Sequence, residues 1–98
     1  MELEFNGKLW RWKGDAPAAW HFITLPEDVA GQIKFMTCKG RGFGSVRVKA
    51  TIGVTSWKTS LFPDKKSGSF LLPIKADVRK AENLQAEQSI SVQLETGY

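Results

Sequence analysis

Residues 39–81, KGRGFGSVRVKATIGVTSWKTSLFPDKKSGSFLLPIKADVRKA, decide the fold. Val46, Val48, Ala50 and Ile52 alternate with Arg47, Lys49 and Thr51, so an extended chain here has one apolar and one wet face. Gly53-Val54 then reads as a two-residue loop with glycine first, the type II′ arrangement whose twist matches paired strands. Thr55 to Phe62 therefore folds back as the next strand. Pro63 to Gly68 forms a second turn, with proline presetting φ, and Ser69 to Leu72 completes a meander. Beyond Pro73, the spacing of Val78, Ala81 and Leu84 predicts a short helix over Ala76 to Leu84. Asp77 lies near its start, and Asn83 can take the left-handed conformation at its end.

Working outward, Glu2 to Lys13 alternates Leu3, Phe5 and then Leu9 or Trp10, with Asn6-Gly7 expected to bend or bulge the strand. Gly14 to Pro17 punctuates the chain. Ala18 to Leu25 resumes the alternation as an antiparallel partner, with Trp20 and Phe22 on one face and His21, Ile23 and Leu25 on the other. Thr24-Leu25-Pro26-Glu27 combines a capping hydroxyl, a first-turn proline and a glutamate, so a helix follows. Its stripe is Val29, Ile33 and Met36, weakened at Gly31. At the other end, Ser89 to Glu95 turns Ile90, Val92 and Leu94 inward as a final strand.

The order is thus ββαβββαβ. Its halves echo each other: Phe22-Ile-Thr-Leu-Pro26, helix, Ser45-Val-Arg-Val-Lys-Ala50 stands against Phe70-Leu-Leu-Pro73, helix, Ser89-Ile-Ser-Val-Gln-Leu94. Such an echo suggests a mainly β, pseudo-two-fold barrel in which both halves line one core. Ninety-eight residues suffice for one such domain, 1–98, and not for two. The 42% hydrophobic content, with four Trp and six Phe, argues against disorder. A single cysteine, Cys38, forms no internal disulfide, and with one histidine it closes no zinc site, so neither cofactor nor metal is expected. The first residues carry acid where a secretory leader needs positive charge, and no apolar run approaches the ~20 residues that span a bilayer, which makes the cytoplasm the expected compartment.

The run from Gly42 to Val48, then Ile52-Gly53, Trp57-Lys-Thr-Ser-Leu-Phe-Pro63 and Leu72-Pro-Ile-Lys-Ala-Asp-Val-Arg-Lys-Ala81, resembles the bacterial and archaeal family catalogued as domain of unknown function nineteen-oh-five. The resemblance covers nearly the whole chain. It implies a small double-split β-barrel, related to the swapped-hairpin barrels of AbrB-type transcription factors and MazE-type antitoxins, and in some members fusion to a bacteriocin-protection domain. It implies no established activity. Members usually carry glycine near position 83 and Gly-Asp near positions 87 and 88, where this chain has Asn83 and Glu87-Gln88.

Three groups of residues offer chemistry. The loop Gly40-Arg41-Gly42-Phe43-Gly44 precedes a strand rather than a helix, so it lacks the helix amino terminus of phosphate-binding loops and reads as an entry to the Val46 strand. Between Asp28 and Asp64 there are six basic residues and no acidic one; Arg41, Arg47 and Lys49 would form a stripe able to meet nucleic-acid phosphates. The third group is Arg41, Phe43, Trp57, Lys58, Phe62, Lys75 and Arg79. If its cations converge beside an aromatic wall, an anionic small molecule or an acidic protein partner binds there. The alternative is that Trp57 fills the core and Arg79 pairs with a local carboxylate such as Glu82. His21 and Cys38 have no partner that the sequence places beside them, so no catalysis is expected. The expectation is a non-catalytic binding module, monomeric or weakly dimeric, with nucleic-acid binding as the alternative.

Overall fold

The computed structural model describes residues 2–12, 20–37 and 45–96. In chain order these form β1 (Glu2–Trp12), β2 (Trp20–Thr24), α1 (Glu27–Thr37), β3 (Val46–Ile52), β4 (Thr55–Asp64), β5 (Ser69–Pro73), α2 (Ala76–Ala81) and β6 (Ser89–Thr96). The strands close a barrel in the order β1-β2-β5-β4-β3-β6, with every neighbouring pair antiparallel. The expected mainly β architecture and element order hold.

Barrel closure rests on two long strands that change partner part-way. β1 pairs with β6 from Glu2 to Lys8 and with β2 from Leu9 to Trp12. β4 pairs with β3 from Thr55 to Leu61 and with β5 from Phe62 to Asp64. Leu9 and Leu61, fully buried, sit at these two corners. Gly53 has φ +60° while Val54 does not adopt positive φ, as a glycine-first hairpin requires.

Exchanging β1 with β4, β2 with β5 and β3 with β6 returns the same set of strand neighbours, which is the expected pseudo-two-fold. Backbone hydrogen bonds set its register: Leu25 N–H donates to Phe70 carbonyl (3.0 Å) as Ile74 N–H does to His21 carbonyl (2.9 Å). At the helix starts, Ala30 donates to Pro26 as Arg79 does to Lys75. In that register the buried residues pair as Phe5 with Trp57, Leu9 with Leu61, Ile23 with Leu72, Leu25 with Ile74 and Val29 with Val78. On β3 and β6 the pairs are Val48 with Ile90, Ala50 with Val92 and Ile52 with Leu94. The sequence echo is real but slipped by two residues: Leu25-Pro26 corresponds to Ile74-Lys75, not to Leu72-Pro73. A slip of two keeps the inward face, because side chains alternate with period two.

Other details depart from expectation. Asn6-Gly7 makes no bulge; the β1–β6 register runs unbroken through it. Gly7 is needed for packing instead, because a Cβ there would lie 2.4 Å from Ile23 Cγ2. Thr24 does not cap α1: its hydroxyl accepts the Trp10 indole N–H at 2.9 Å. β4 runs on through Pro63 to Asp64, so the second turn is shorter, and β5 takes in Pro73. α2 stops at Ala81, which is exposed, because Glu82 caps it and Asn83 turns left-handed at φ 53°. Of the first helical stripe Val29 and Ile33 are buried. The Met36 side chain, Cys38, the Gly40–Gly44 loop and Gly14 to Pro17 lie outside the described residues.

Two substitutions probe this frame. Gly7→Ala forces its methyl group into Ile23 and is expected to destabilise by about 1–3 kcal/mol. In an Ile23→Ala background the same change costs less, as a urea-denaturation double-mutant cycle will register. Glu87 sits at φ 74°; its backbone N–H donates to the Leu9 carbonyl at 2.7 Å, a bond that glycine keeps, and its side chain makes an exposed ion pair to Lys8 (3.5 Å). Glu87→Gly relieves the left-handed strain and raises stability by about 0.5–1 kcal/mol, whereas Asn83→Gly, replacing a residue that tolerates the conformation, changes it less.

Candidate functional site

The two long strands open a gap wherever they part from a former neighbour. Where β4 turns away from β5 towards β3, the gap is a cleft of about 510 Å³. One wall is Trp57, Lys58 and Thr59 of β4; the other is Pro73, Ile74 and Lys75 leading into α2, whose Arg79 reaches the same space. Trp20 and His21 of β2 complete it. Four residues singled out from sequence, Trp57, Lys58, Lys75 and Arg79, thus line one concavity. Trp57 serves core and cleft at once: it is 9% exposed, packed in the hydrophobic cluster, and still lines the opening.

Phe62 is elsewhere, 48% exposed on the outer face of the β4–β5 pair beside Leu71. Arg41 and Phe43 lie outside the described residues. Sequence reading overlooked Trp20, Thr59, Pro73 and Ile74 for this site, and considered His21 for catalysis alone. Their strands diverge and reconverge through pairings that no local pattern announces.

Arg79 does not pair with Glu82. Its Nε donates to the Ile74 carbonyl at 3.3 Å, which points the half-buried guanidinium along the cleft wall. Glu82 instead accepts the Thr55 hydroxyl at 2.6 Å, tying the end of α2 to β4. Among the described residues that line the cleft none is acidic, whereas Lys58, Lys75 and Arg79 are cations.

The pseudo-two-fold acts as an internal comparison. The positions equivalent to Lys58, Lys75 and Arg79 in the other half are Asn6, Pro26 and Ala30, and the counterpart of His21 is Phe70. The same backbone geometry is therefore built there with none of the three cations, and the counterpart of Ala76, which also lines the cleft, is Glu27. In that half α1 runs for 11 residues, against 6 in α2, and packs on β5, burying Ile33, Ala30 and Phe70. The shorter α2 leaves the corresponding space over His21 open.

The other basic group has a different setting. Arg47 is exposed and Lys49 half-buried on the outer face of β3. A row of directly paired positions crosses that sheet as Lys58, Lys49, Glu95 and Glu2. Lys49 also shares a groove of about 430 Å³ with Glu2, Glu4 and Glu95. Positive charge on β3 and β4 gives way to negative charge on β6 and β1, so the stripe is one half of a bipolar face.

Among the described residues no helix is long and apolar enough to cross a membrane. The chain matches the family described as Domain of unknown function (DUF1905) over residues 5–94, and it belongs to that family. No curated protein matches the chain.

If the cleft cations are dispensable to the fold, replacing them by their counterparts leaves stability nearly unchanged. Lys58→Asn with Arg79→Ala is expected to shift unfolding by less than about 1 kcal/mol, the range of surface substitutions; thermal or urea denaturation checks this.

Proposed function

We propose that the protein is a non-catalytic cytoplasmic binding module whose cleft between β4 and α2 takes an anionic ligand, either a small molecule or an acidic group of a protein partner. One observation carries the reading: among the described residues that line the concavity three are cations and none is a carboxylate, and the pseudo-equivalent half makes the same fold with none of those cations. An anion held among several cations is attracted by each of them. Each cation within about 4 Å of an anion contributes ~1 kcal/mol in open water and ~4 kcal/mol where the effective dielectric constant falls to about 20. Arg79, half-buried and anchored by Ile74, is placed for the stronger end of that range, while the exposed Lys58 and Lys75 act nearer the weaker end. Trp57, Pro73 and Ile74 supply an apolar wall, as small-molecule sites commonly do.

The β3 stripe supports nucleic-acid binding less well, because Glu95 and Glu2 extend the row that Lys58 and Lys49 begin. Thermal-shift measurements over a panel of anionic metabolites test the cleft. A ligand at about ten times its Kd contributes about 1.4 kcal/mol, which in a domain of this size raises Tm by about 5–10 °C. The rise is expected to vanish in Lys58→Asn/Arg79→Ala. Stabilisation by no member, or stabilisation undiminished in the double variant, defeats the reading. A mixed nucleic-acid pool bound tightly at low salt and released steeply as salt rises would favour the stripe instead.

A further inference from the structure

We infer that the anion taken by the cleft carries a flat aromatic ring, which lies on the indole of Trp20 while its carboxylate or phosphate meets Lys58, Lys75 and Arg79. This rests on the reading of the cleft as an anion site and adds the class of the ligand. Three rings form a column along the outer face of β1 and β2. Trp10 and Phe22 have centroids 5.3 Å apart and tilted by 41°; Phe22 and Trp20 are 6.2 Å apart and nearly parallel, at 8°. Trp20 and Phe22 are alternate residues of one strand, so their stacked planes lie across it, and Phe22 occupies one face of the Trp20 indole. Among the described residues Trp20 ends the column. It also lines the cleft, and it remains 50% exposed although its neighbour is stacked on it.

The fold does not ask for an indole there. The pseudo-equivalent of Trp20 is Ser69, which is buried and donates its hydroxyl to the Leu25 carbonyl at 2.8 Å. The large ring and the three cations are thus separate departures from the other half, and they meet at one cleft. An inorganic or aliphatic anion would answer the charges and leave the indole face wet; an uncharged ring would do the reverse. A planar aromatic anion answers both, and stacking adds attraction beyond the area it buries. The cleft volume of about 510 Å³ falls in the range of small-ligand sites.

Two matched pairs of probes test this by isothermal titration: benzoate against cyclohexanecarboxylate, and adenosine 5′-monophosphate against ribose 5-phosphate. The pairs separate a carboxylate source from a phosphate source. In at least one pair the aromatic member is expected to bind about tenfold more tightly, the scale of one ring-stacking contact. Trp20→Ser removes the difference within the pair and keeps the weaker affinity, and Trp20→Leu does the same with an apolar side chain retained. Arg79→Ala weakens both members together. Equal binding of ringed and ringless anions, or a ring preference that survives both Trp20 variants, overturns the aromatic ligand and leaves the anion site standing. Binding of none of the four overturns both. A single-stranded oligonucleotide bound far more tightly than the mononucleotide overturns the small-ligand assignment in favour of a polymer.

Discussion

Closure of the barrel depends on two strands that each serve two partners. Leu9 and Leu61 mark the points where β1 and β4 pass from one neighbour to the next, and both side chains are wholly buried. A corner of this kind needs inward side chains on either side of the switch to keep one face. The alternations Phe5, Gly7, Leu9 and Trp57, Thr59, Leu61 do so without a bulge. Every corner leaves a gap on the side the strand has left. One gap is closed where Ile23 comes up against Gly7; the other, beside Thr59, is the cleft.

The duplication separates what the barrel requires from what it merely allows. Eight pairs of buried apolar residues recur across the halves, and only two pairs, Leu9 with Leu61 and Val29 with Val78, are identical. Apolar character at the right parity is therefore enough for the core, as expected where volume and pattern outweigh identity. Charge is distributed differently. Lys58, Lys75 and Arg79 have uncharged counterparts, and Trp20 has Ser69, so the barrel forms one of its halves without cations or an indole at these positions.

Much of the fold could be read from the chain because it is written in local signals. Val46 to Ile52 alternates without exception, Gly53 supplies the positive φ of its hairpin, and Asn83 turns left-handed as its side chain permits. What escaped was set by distant contacts. Gly7 resembles a bulge residue in sequence and is a packing residue in space, because Ile23 is 16 positions away. Thr24 resembles a cap and is spent on Trp10. The cleft was half legible: Trp57, Lys58, Lys75 and Arg79 stood in one candidate group, but nothing local brings Trp20 across to them. Phe62 shares its strand face with Lys58 but lies outside the cleft, because it is past the corner, on the part of β4 that pairs with β5.

The strand order also governs how the molecule must be made. Only β1 with β2 and β4 with β5 pair within one half; the other four of the barrel's six strand pairs join one half to the other. During synthesis, β3 waits for both its neighbours and β1 waits for β6, so no closed unit exists until the last strand has left the ribosome. Long-range pairing of this kind folds slowly and leaves strand edges exposed meanwhile. The nascent chain thus passes its most aggregation-prone interval as an open sheet fragment, and that interval lasts until β6 closes the ring.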